Sequence, residues 1–237
     1  MLNSKGEVMR VLLVNGSPRE YGCTARALNE VRNAFNEIGV HADIFWIGED
    51  VKGCNNCRVC KEAKVPCPMK GDSVQRFLER VEEYDGIVIG SPAYYASMPG
   101  QLQNFLTRCF YSSCKKFELK PCAAVVCSRR SGSTNVFEQI NRYFLMHNMF
   151  VVGSYYWNEV YGDNPTELNE DAEGLQCLRK LAYNMEYVMR AFSFCKPQTF
   201  PEKHIHTNFI SREFLSMKME KMCLTDGLKR LKSNKKV

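Results

Sequence analysis

Four closely spaced cysteines are the residues whose type and spacing most clearly indicate chemistry in this chain. Cys54, Cys57, Cys60 and Cys67 follow one another as C-x2-C-x2-C-x6-C. Iron–sulfur clusters are held by four thiolates, and the bacterial ferredoxin run C-x2-C-x2-C-x3-C-P differs only in a shorter last gap. Tetrahedral zinc also takes four cysteines, although zinc sites usually pair two C-x2-C units across a longer loop. The run favours a cluster, while zinc and unmetallated or disulfide-paired thiols stay open.

A second chemical signal is a loop of small and polar residues, Gly16–Thr24, that opens a helix after a short apolar run. Ser17 and Thr24 offer hydroxyls, Arg19 offers a positive charge, and the free N–H groups of a helix start suit an anion. The Walker and G-x-G-x-x-G patterns are both absent here, so we expect a monophosphate rather than a triphosphate or pyrophosphate. A plain strand–helix turn with a capping hydroxyl is the alternative.

Two further loops have a composition that suits the rest of such a ligand. Ser91–Gly100 supplies Tyr94 and Tyr95 between two prolines, which suits a flat heteroaromatic ring, although a core aromatic pair is the alternative. Cys127–Thr134 is polar and contains glycine, and we expect it to close over the same ligand.

The elements that must position these loops are read from hydrophobic periodicity. Strand patterns and helical patterns alternate along the chain. Strands are predicted over 9–15, 41–47, 86–90, 122–127 and 150–157, and helices over 24–38, 72–83, 99–109, 134–148 and 170–192. Five alternating strands predict an α/β fold with a parallel, doubly wound sheet. Ligands bind such sheets at the carboxyl ends of the strands, and the cysteine run follows the second strand at that edge, so we expect its metal near the same crevice.

Composition limits the class of protein and its partners. The chain has 237 residues, 45% of them hydrophobic and 24% charged, as in an ordinary globular domain. Its net charge of +6 comes mostly from 212–237, where eight Lys/Arg face three Asp/Glu, so a nucleic-acid partner is not indicated. No apolar segment approaches the roughly 20 residues that span a membrane. With no signal-peptide pattern, we expect a cytoplasmic protein.

Domain organisation and the other cysteines follow from the same composition. We expect a first domain over 1–195 with a cysteine-rich loop at 53–68, and a second region over 196–237. That region comprises an arm over 196–207 and a basic helix over 211–234. The eight cysteines outside the run are expected mostly in the core.

Several motifs together resemble a known family. These are N-G-S-P-R-x-x-G-x-T in the first loop, S-P-x-Y-x-x-x-M-P-x-Q-L-x-N-F from Ser91 to Phe105, E-G-L-Q at 173–176 and T-N-F-I at 207–210. They resemble the NADPH-dependent FMN reductase-like group of flavodoxin-fold proteins, and the compact cysteine run resembles its iron–sulfur flavoprotein branch. The resemblance covers about residues 8–192. It implies a flavodoxin-like, five-stranded parallel sheet of order 2-1-3-4-5, with a cysteine-rich insertion and a C-terminal helical arm.

The resemblance also implies cofactors and site residues. Cys54, Cys57, Cys60 and Cys67 would hold a [4Fe–4S] cluster, and FMN would bind noncovalently. Cys23 departs from the family pattern, because it stands where Asn is usual. The FMN-binding residues would be Ser17, Pro18, Arg19, Cys23, Thr24, Ser91, Pro92, Ala93, Tyr94, Tyr95, Ser97, Ser128, Arg129 and Gly132.

The predicted function is electron transfer between a [4Fe–4S] cluster and FMN, to reduce a small acceptor. No catalytic side chain is required, because the cofactors carry the chemistry. The resemblance makes NAD(P)H and a ferredoxin-type protein candidate donors, and a homodimer or homotetramer the expected assembly. A cluster-free NAD(P)H-dependent FMN or quinone reductase is the first alternative. A non-catalytic flavodoxin-like carrier or zinc-stabilised module is the second.

Overall fold

The computed structural model describes residues 2–4, 6–195, 197, 198, 200–202 and 205. The close contacts of the chain divide into two units, Met1–Lys196 and Pro197–Val237, and the fold below is that of the first. The predicted basic helix over 211–234 and half of the predicted arm over 196–207 lie outside the described residues. Within that described part, no helix combines the length and apolar character needed to cross a bilayer.

One parallel sheet forms the centre of the unit. Its strands run in the order β2-β1-β3-β4-β5, and β6 also pairs with β4. They are β1 Arg10–Asn15, β2 His41–Trp46, β3 Gly86–Pro92, β4 Pro121–Ser128, β5 Phe150–Val151 and β6 Glu159–Tyr161. β1, β3 and β4 are buried along nearly their whole length, as continuous apolar strands covered on both faces must be. The predicted doubly wound sheet and its order are confirmed.

Helices cover both faces of the sheet. They are α1 Cys23–Glu37, α2 Val59–Glu62, α3 Ser73–Arg80, α4 Gly100–Ser113, α5 Ser133–Met146, α6 Pro165–Leu168 and α7 Ala172–Phe194. α1 and α7 contribute to one buried apolar cluster, and α3, α4 and α5 to the other. Asp72 caps α3 by accepting the Val74 N–H. The short helices α2 and α6 carry too few residues to show a period and were not predicted.

The strand predicted over 150–157 is present but too long, because β5 ends at Val151 and a separate strand, β6, follows at Glu159–Tyr161. Gly153 and Ser154 interrupt the apolar run. Asn158 then takes up the pairing, since its side-chain N–H donates to Ala124 O at 3.0 Å and its carbonyl accepts from Val126 N at 2.9 Å. β6 therefore restarts beside the last residues of β4 and delivers the next loop to the carboxyl edge of the sheet.

Candidate functional site

A cleft of about 290 Å³ at the carboxyl edge brings the three predicted loops together. It opens beside the ends of β1 and β3, where the strand order reverses, the usual ligand position in open α/β sheets. The predicted site residues that line it are Ser17, Arg19, Cys23, Thr24, Pro92, Ala93, Tyr94, Ser128 and Arg129.

The first loop is held in shape by Asn15, a residue that the sequence interpretation missed. Asn15 is buried at the end of β1; its side-chain N–H donates to Glu20 O at 3.0 Å and its Oδ1 accepts from Ser17 N at 3.1 Å. Ser17 Oγ in turn accepts from Arg19 N at 3.0 Å. A Cβ at Gly16 would lie 2.7 Å from Gly90 O, so a side chain cannot fit there. The loop is thus ordered without a ligand contact.

Thr24 carries the polar atom that most clearly requires a partner. Its side chain is 1% exposed, and Oγ1 has no hydrogen-bond partner of normal geometry within the described residues; the Cys127 thiol, a weak hydrogen-bonding group, lies near enough to interact with it. Leaving a buried hydroxyl unpaired costs roughly 1–3 kcal/mol. Gly22, the N-cap of α1, offers no side-chain cap, and the first N–H groups of any helix lack internal partners. Together these donors form a cradle for an anion.

Cys23, the departure from the family pattern, adds a neutral group to this cradle. Burial raises the pKa of the Cys23 thiol, and the nearby Asp163 carboxylate raises it further. The thiol lies 3.7 Å from Gly162 O. A neutral thiol does not repel an anion, but it is a weaker hydrogen-bond donor than an amide.

The second loop makes a tight turn that points one tyrosine into the cleft and the other outward. The Tyr94 and Ser97 backbones exchange N–H···O bonds of 2.9 and 3.0 Å. Tyr95 and Ala96 between them have φ of 51° and 56°, the left-handed conformation that glycine usually supplies. Tyr94 lines the cleft, whereas Tyr95 is fully exposed. The strained turn therefore gives different positions to two tyrosines that were both predicted to contact a flat ring.

Ser91, Ser97 and Gly132 do not line the cleft but support the loops that do. Ser91 Oγ donates to its neighbour Pro92 O at 2.8 Å, and Ser97 Oγ donates to Gln139 on α5 at 3.1 Å. Gly132 has φ +98°, and a Cβ there would lie 2.9 Å from the Ala96 side chain. Gly132 thus lets the third loop approach the second.

A fourth wall, the loop after β6, was also missed. Gly162, Asp163 and Asn164 line the cleft. Gly162 N–H donates to Ser128 O at 3.0 Å, and Asp163 lies 4.0 Å from Arg129. The sequence does contain a helix-start signal here, Asn-Pro at 164–165. Because a single strand was predicted over 150–157, the sequence did not predict that this loop reaches the carboxyl edge of the sheet.

The four cysteines of the run line one small pocket. Cys54 and Cys57 are exposed, whereas Cys60 and Cys67 are buried. Burial raises the pKa of the Cys60 thiol, and Cys67, Cys57 and Cys54 all raise it further, so the four sulfurs lie within electrostatic range. All cysteines in the described part of the chain are free thiols.

The donor set of this pocket fits a cluster or zinc, although the thiols are not closed around a centre. Among the described residues, no group of three or more His, Cys, Asp or Glu side chains has metal-holding geometry. Thiolates repel one another, and metal binding itself completes the geometry of such loops. Outside the run, Cys109, Cys122, Cys127 and Cys177 are buried as predicted; Cys23 is half-buried, Cys114 and Cys195 are exposed, against expectation, and Cys223 lies outside the described residues.

The cysteine pocket lies along α4 rather than at its start. It packs on Arg108, Tyr111 and Ser112 in the second half of α4, whereas the cleft is bordered by the loop that precedes α4. From Gly100 to Arg108 the helix advances about 12 Å. The described linings of the two cavities share no residue. Hydrogen bonds from α4 fix the loop in this position. Asn104 donates to Val51 O at 2.8 Å, and Arg108 donates to Lys52 O and Met69 O.

Comparisons with known proteins identify the family and fold to which this chain is similar. The model of the NADPH-dependent FMN reductase family matches residues 9–162. Iron-sulfur flavoprotein MJ1083 of Methanocaldococcus jannaschii is 31% identical over 192 residues, which cover 77% of this chain and 98% of the relative. Iron-sulfur flavoprotein MJ0731 of the same organism is 29% identical over 187 residues, covering 73% and 92%.

Among solved structures, a flavodoxin described as a WrbA-like protein, from Agrobacterium tumefaciens, superimposes with a TM-score of 0.55. The identity is 15%, and the match covers 78% of this chain and 99% of the other. At that identity the likeness concerns the fold, which is flavodoxin-like.

Proposed function

This chain belongs to the NADPH-dependent FMN reductase family, in its iron–sulfur flavoprotein branch, and on that premise we propose that it passes electrons between a [4Fe–4S] cluster and FMN. It is an FMN-dependent oxidoreductase. The observation that carries the finer proposal is the single pocket lined by all four cysteines of the run. When bound, a cluster exchanges one electron and FMN one or two, so the pair can connect a one-electron donor to a two-electron acceptor.

In this proposal the cleft holds FMN by its two ends. Thr24 Oγ1 and the free N–H groups at the start of α1 bind the phosphate, and Arg19 at the cleft rim offsets its charge. Tyr94 and the neighbouring Pro92 and Ala93 border the isoalloxazine. No side chain moves a proton in this scheme; the residues bind and orient.

The separation of the two cavities supports an electron path between subunits. Within one chain the thiols lie beside the second half of α4 and share no described lining residue with the cleft. A homodimer or homotetramer that sets one subunit's thiols against another's cleft would shorten the path. Light scattering of the purified protein tests this, and a monomer with full electron-transfer activity would contradict it.

The proposed function is tested by anaerobic purification and reconstitution with iron, sulfide and FMN. We expect about four irons and four sulfides per chain and one FMN. We also expect flavin reduction by a one-electron donor to require the cluster. Stoichiometric FMN without iron would leave the cluster-free reductase. Zinc in place of iron, with no turnover, would support the zinc-stabilised module.

A ferredoxin-type, acidic protein is the electron donor that the surface around the thiols suits. Lys52, Arg58, Lys61, Lys64 and Lys70 are all exposed, and Glu62 is the one acidic residue between 51 and 71. We call these five residues the basic rim. Complementary charge raises association rates by about 10- to 1,000-fold at low salt.

Reversing two charges of the basic rim is expected to slow reduction by an acidic ferredoxin. In Lys61→Glu/Lys70→Glu the second-order rate at low ionic strength should fall by roughly tenfold or more, and its salt dependence should flatten. Stopped-flow reduction measures both. Arg142→Glu, a single exposed reversal on α5 outside the basic rim, is the control for a charge change elsewhere and should keep a rate close to that of the wild type. Equal rates in all three proteins would place donor docking elsewhere.

A further inference from the structure

Arg108 is a charged side chain buried where the cysteine loop packs on α4. Its side chain has no exposed surface, and it is the largest of the fully buried side chains among the described residues. A buried guanidinium is costly unless it is paired and hydrogen-bonded. In the described part of the chain, all hydrogen-bond partners of the Arg108 guanidinium belong to the cysteine loop and the residues that flank it.

Three of these partners close the base of the loop. Arg108 forms a buried ion pair with Asp72, which has 1% of its side chain exposed. It also donates to Lys52 O at 3.1 Å, just before the first cysteine, and to Met69 O at 2.9 Å, just after the last. Asp72 in turn accepts from Lys52 N at 3.2 Å. One guanidinium therefore joins both ends of the cysteine run.

The fourth partner is a cysteine of the run itself. Arg108 Nε–H donates to Cys67 Sγ at 3.3 Å, and Cys67 is 7% exposed. Cys54 and Cys57, by contrast, are exposed to solvent. Hydrogen bonds to the sulfurs and solvent exposure are both determinants of cluster potential. Cys67 is thus the thiol whose hydrogen bonding the protein controls from its interior.

We propose that Arg108 orients the Cys67 thiolate and raises the reduction potential of a cluster bound by the run, an inference that rests on the proposed function. Uptake of one electron from an external reductant, with no proton and no bond change, adds negative charge that spreads onto the thiolate sulfurs. A donor N–H aimed at Cys67 stabilises that reduced form more than the oxidised one. Because Asp72 balances the charge of Arg108, the directed hydrogen bond contributes more to the reduction potential than the net charge of the pair does.

The test compares two variants that preserve packing in different ways. Arg108→Lys keeps a cation for Asp72 but lacks the directed Nε–H. Arg108→Met/Asp72→Asn removes the ion pair without stranding a buried carboxylate, and asparagine still caps α3. At a fixed applied potential we expect the ratio of oxidised to reduced cluster to rise about tenfold in both, or ~59 mV for a one-electron couple. Arg76→Lys on the neighbouring α3, exposed and over the Phe45 ring, is the control and should match wild type.

The possible outcomes distinguish failure of this inference from failure of the proposed function. Wild-type protein that binds no iron would overturn both. Variants that load iron normally and keep the wild-type potential would overturn the role of Arg108 alone. If neither variant retains iron, the wild-type resonance Raman spectrum decides: an iron–thiolate stretch that shifts on exchange into D₂O supports an N–H···S bond, and an unshifted spectrum contradicts it.

Discussion

Replacing Cys60 with alanine is expected to abolish cluster binding while FMN stays bound. Cys60 is buried and lines the pocket with the other three thiols, and a cluster held by four thiolates loses one ligand outright. Iron and sulfide should fall from about four per chain to below one. The packing loss from one buried sulfur, about 1 kcal/mol, is too small to unfold the domain. Reduction by a one-electron donor should be lost, because its entry point is gone.

The control for this result is another cysteine close in sequence to α4. Cys114 is exposed, follows α4 directly and lies outside the pocket lining. Cys114→Ala should keep wild-type iron, sulfide and flavin. Full iron in Cys60→Ala, or loss of iron in Cys114→Ala, would show that the run does not bind the cluster as proposed.

The parts of the fold and site that the sequence predicted are those governed by local patterns. β1, β3 and β4 are continuous apolar runs, and their order in the sheet follows from alternating elements and the family resemblance. The loops that follow them converge because parallel strands end at one edge. The cleft was therefore predictable from residues close in sequence, down to Ser17 and Thr24 in its lining.

What could not be predicted depends on contacts between distant residues. Arg108 and Cys67 are 41 positions apart, and nothing in the α4 pattern marks an arginine as buried. Asn158 resumes the pairing by bonding the backbone of β4, 34 positions away in sequence, so the start of a separate strand β6 is a tertiary effect. The place of the thiols along α4 has the same origin. Local sequence propensity does not depend on these contacts and therefore cannot predict them.

Thr24→Val is expected to weaken FMN binding without weakening the fold. Valine has nearly the shape of threonine and removes a buried hydroxyl that has no hydrogen-bond partner in the described part of the chain. The flavin-free protein should therefore be as stable as wild type, or more stable by about 1 kcal/mol. A hydrogen bond to a charged group contributes about 1.5–3 kcal/mol, so the Kd for FMN should rise roughly 10- to 100-fold. Fluorescence titration of flavin and denaturant unfolding of the apoprotein measure the two quantities.

Thr24→Ser should give the opposite pattern, because it keeps the hydroxyl and removes the methyl group. That methyl packs against Gly90, where a Cβ would lie 2.9 Å from it. Its loss should cost about 1 kcal/mol of apoprotein stability and leave FMN affinity within a few-fold of wild type. Opposite effects in the two variants separate ligand binding from packing at one position. If valine instead destabilised the apoprotein and left the Kd unchanged, the hydroxyl would be a structural group, and the phosphate would have to be held by the N–H groups of α1 and Arg19.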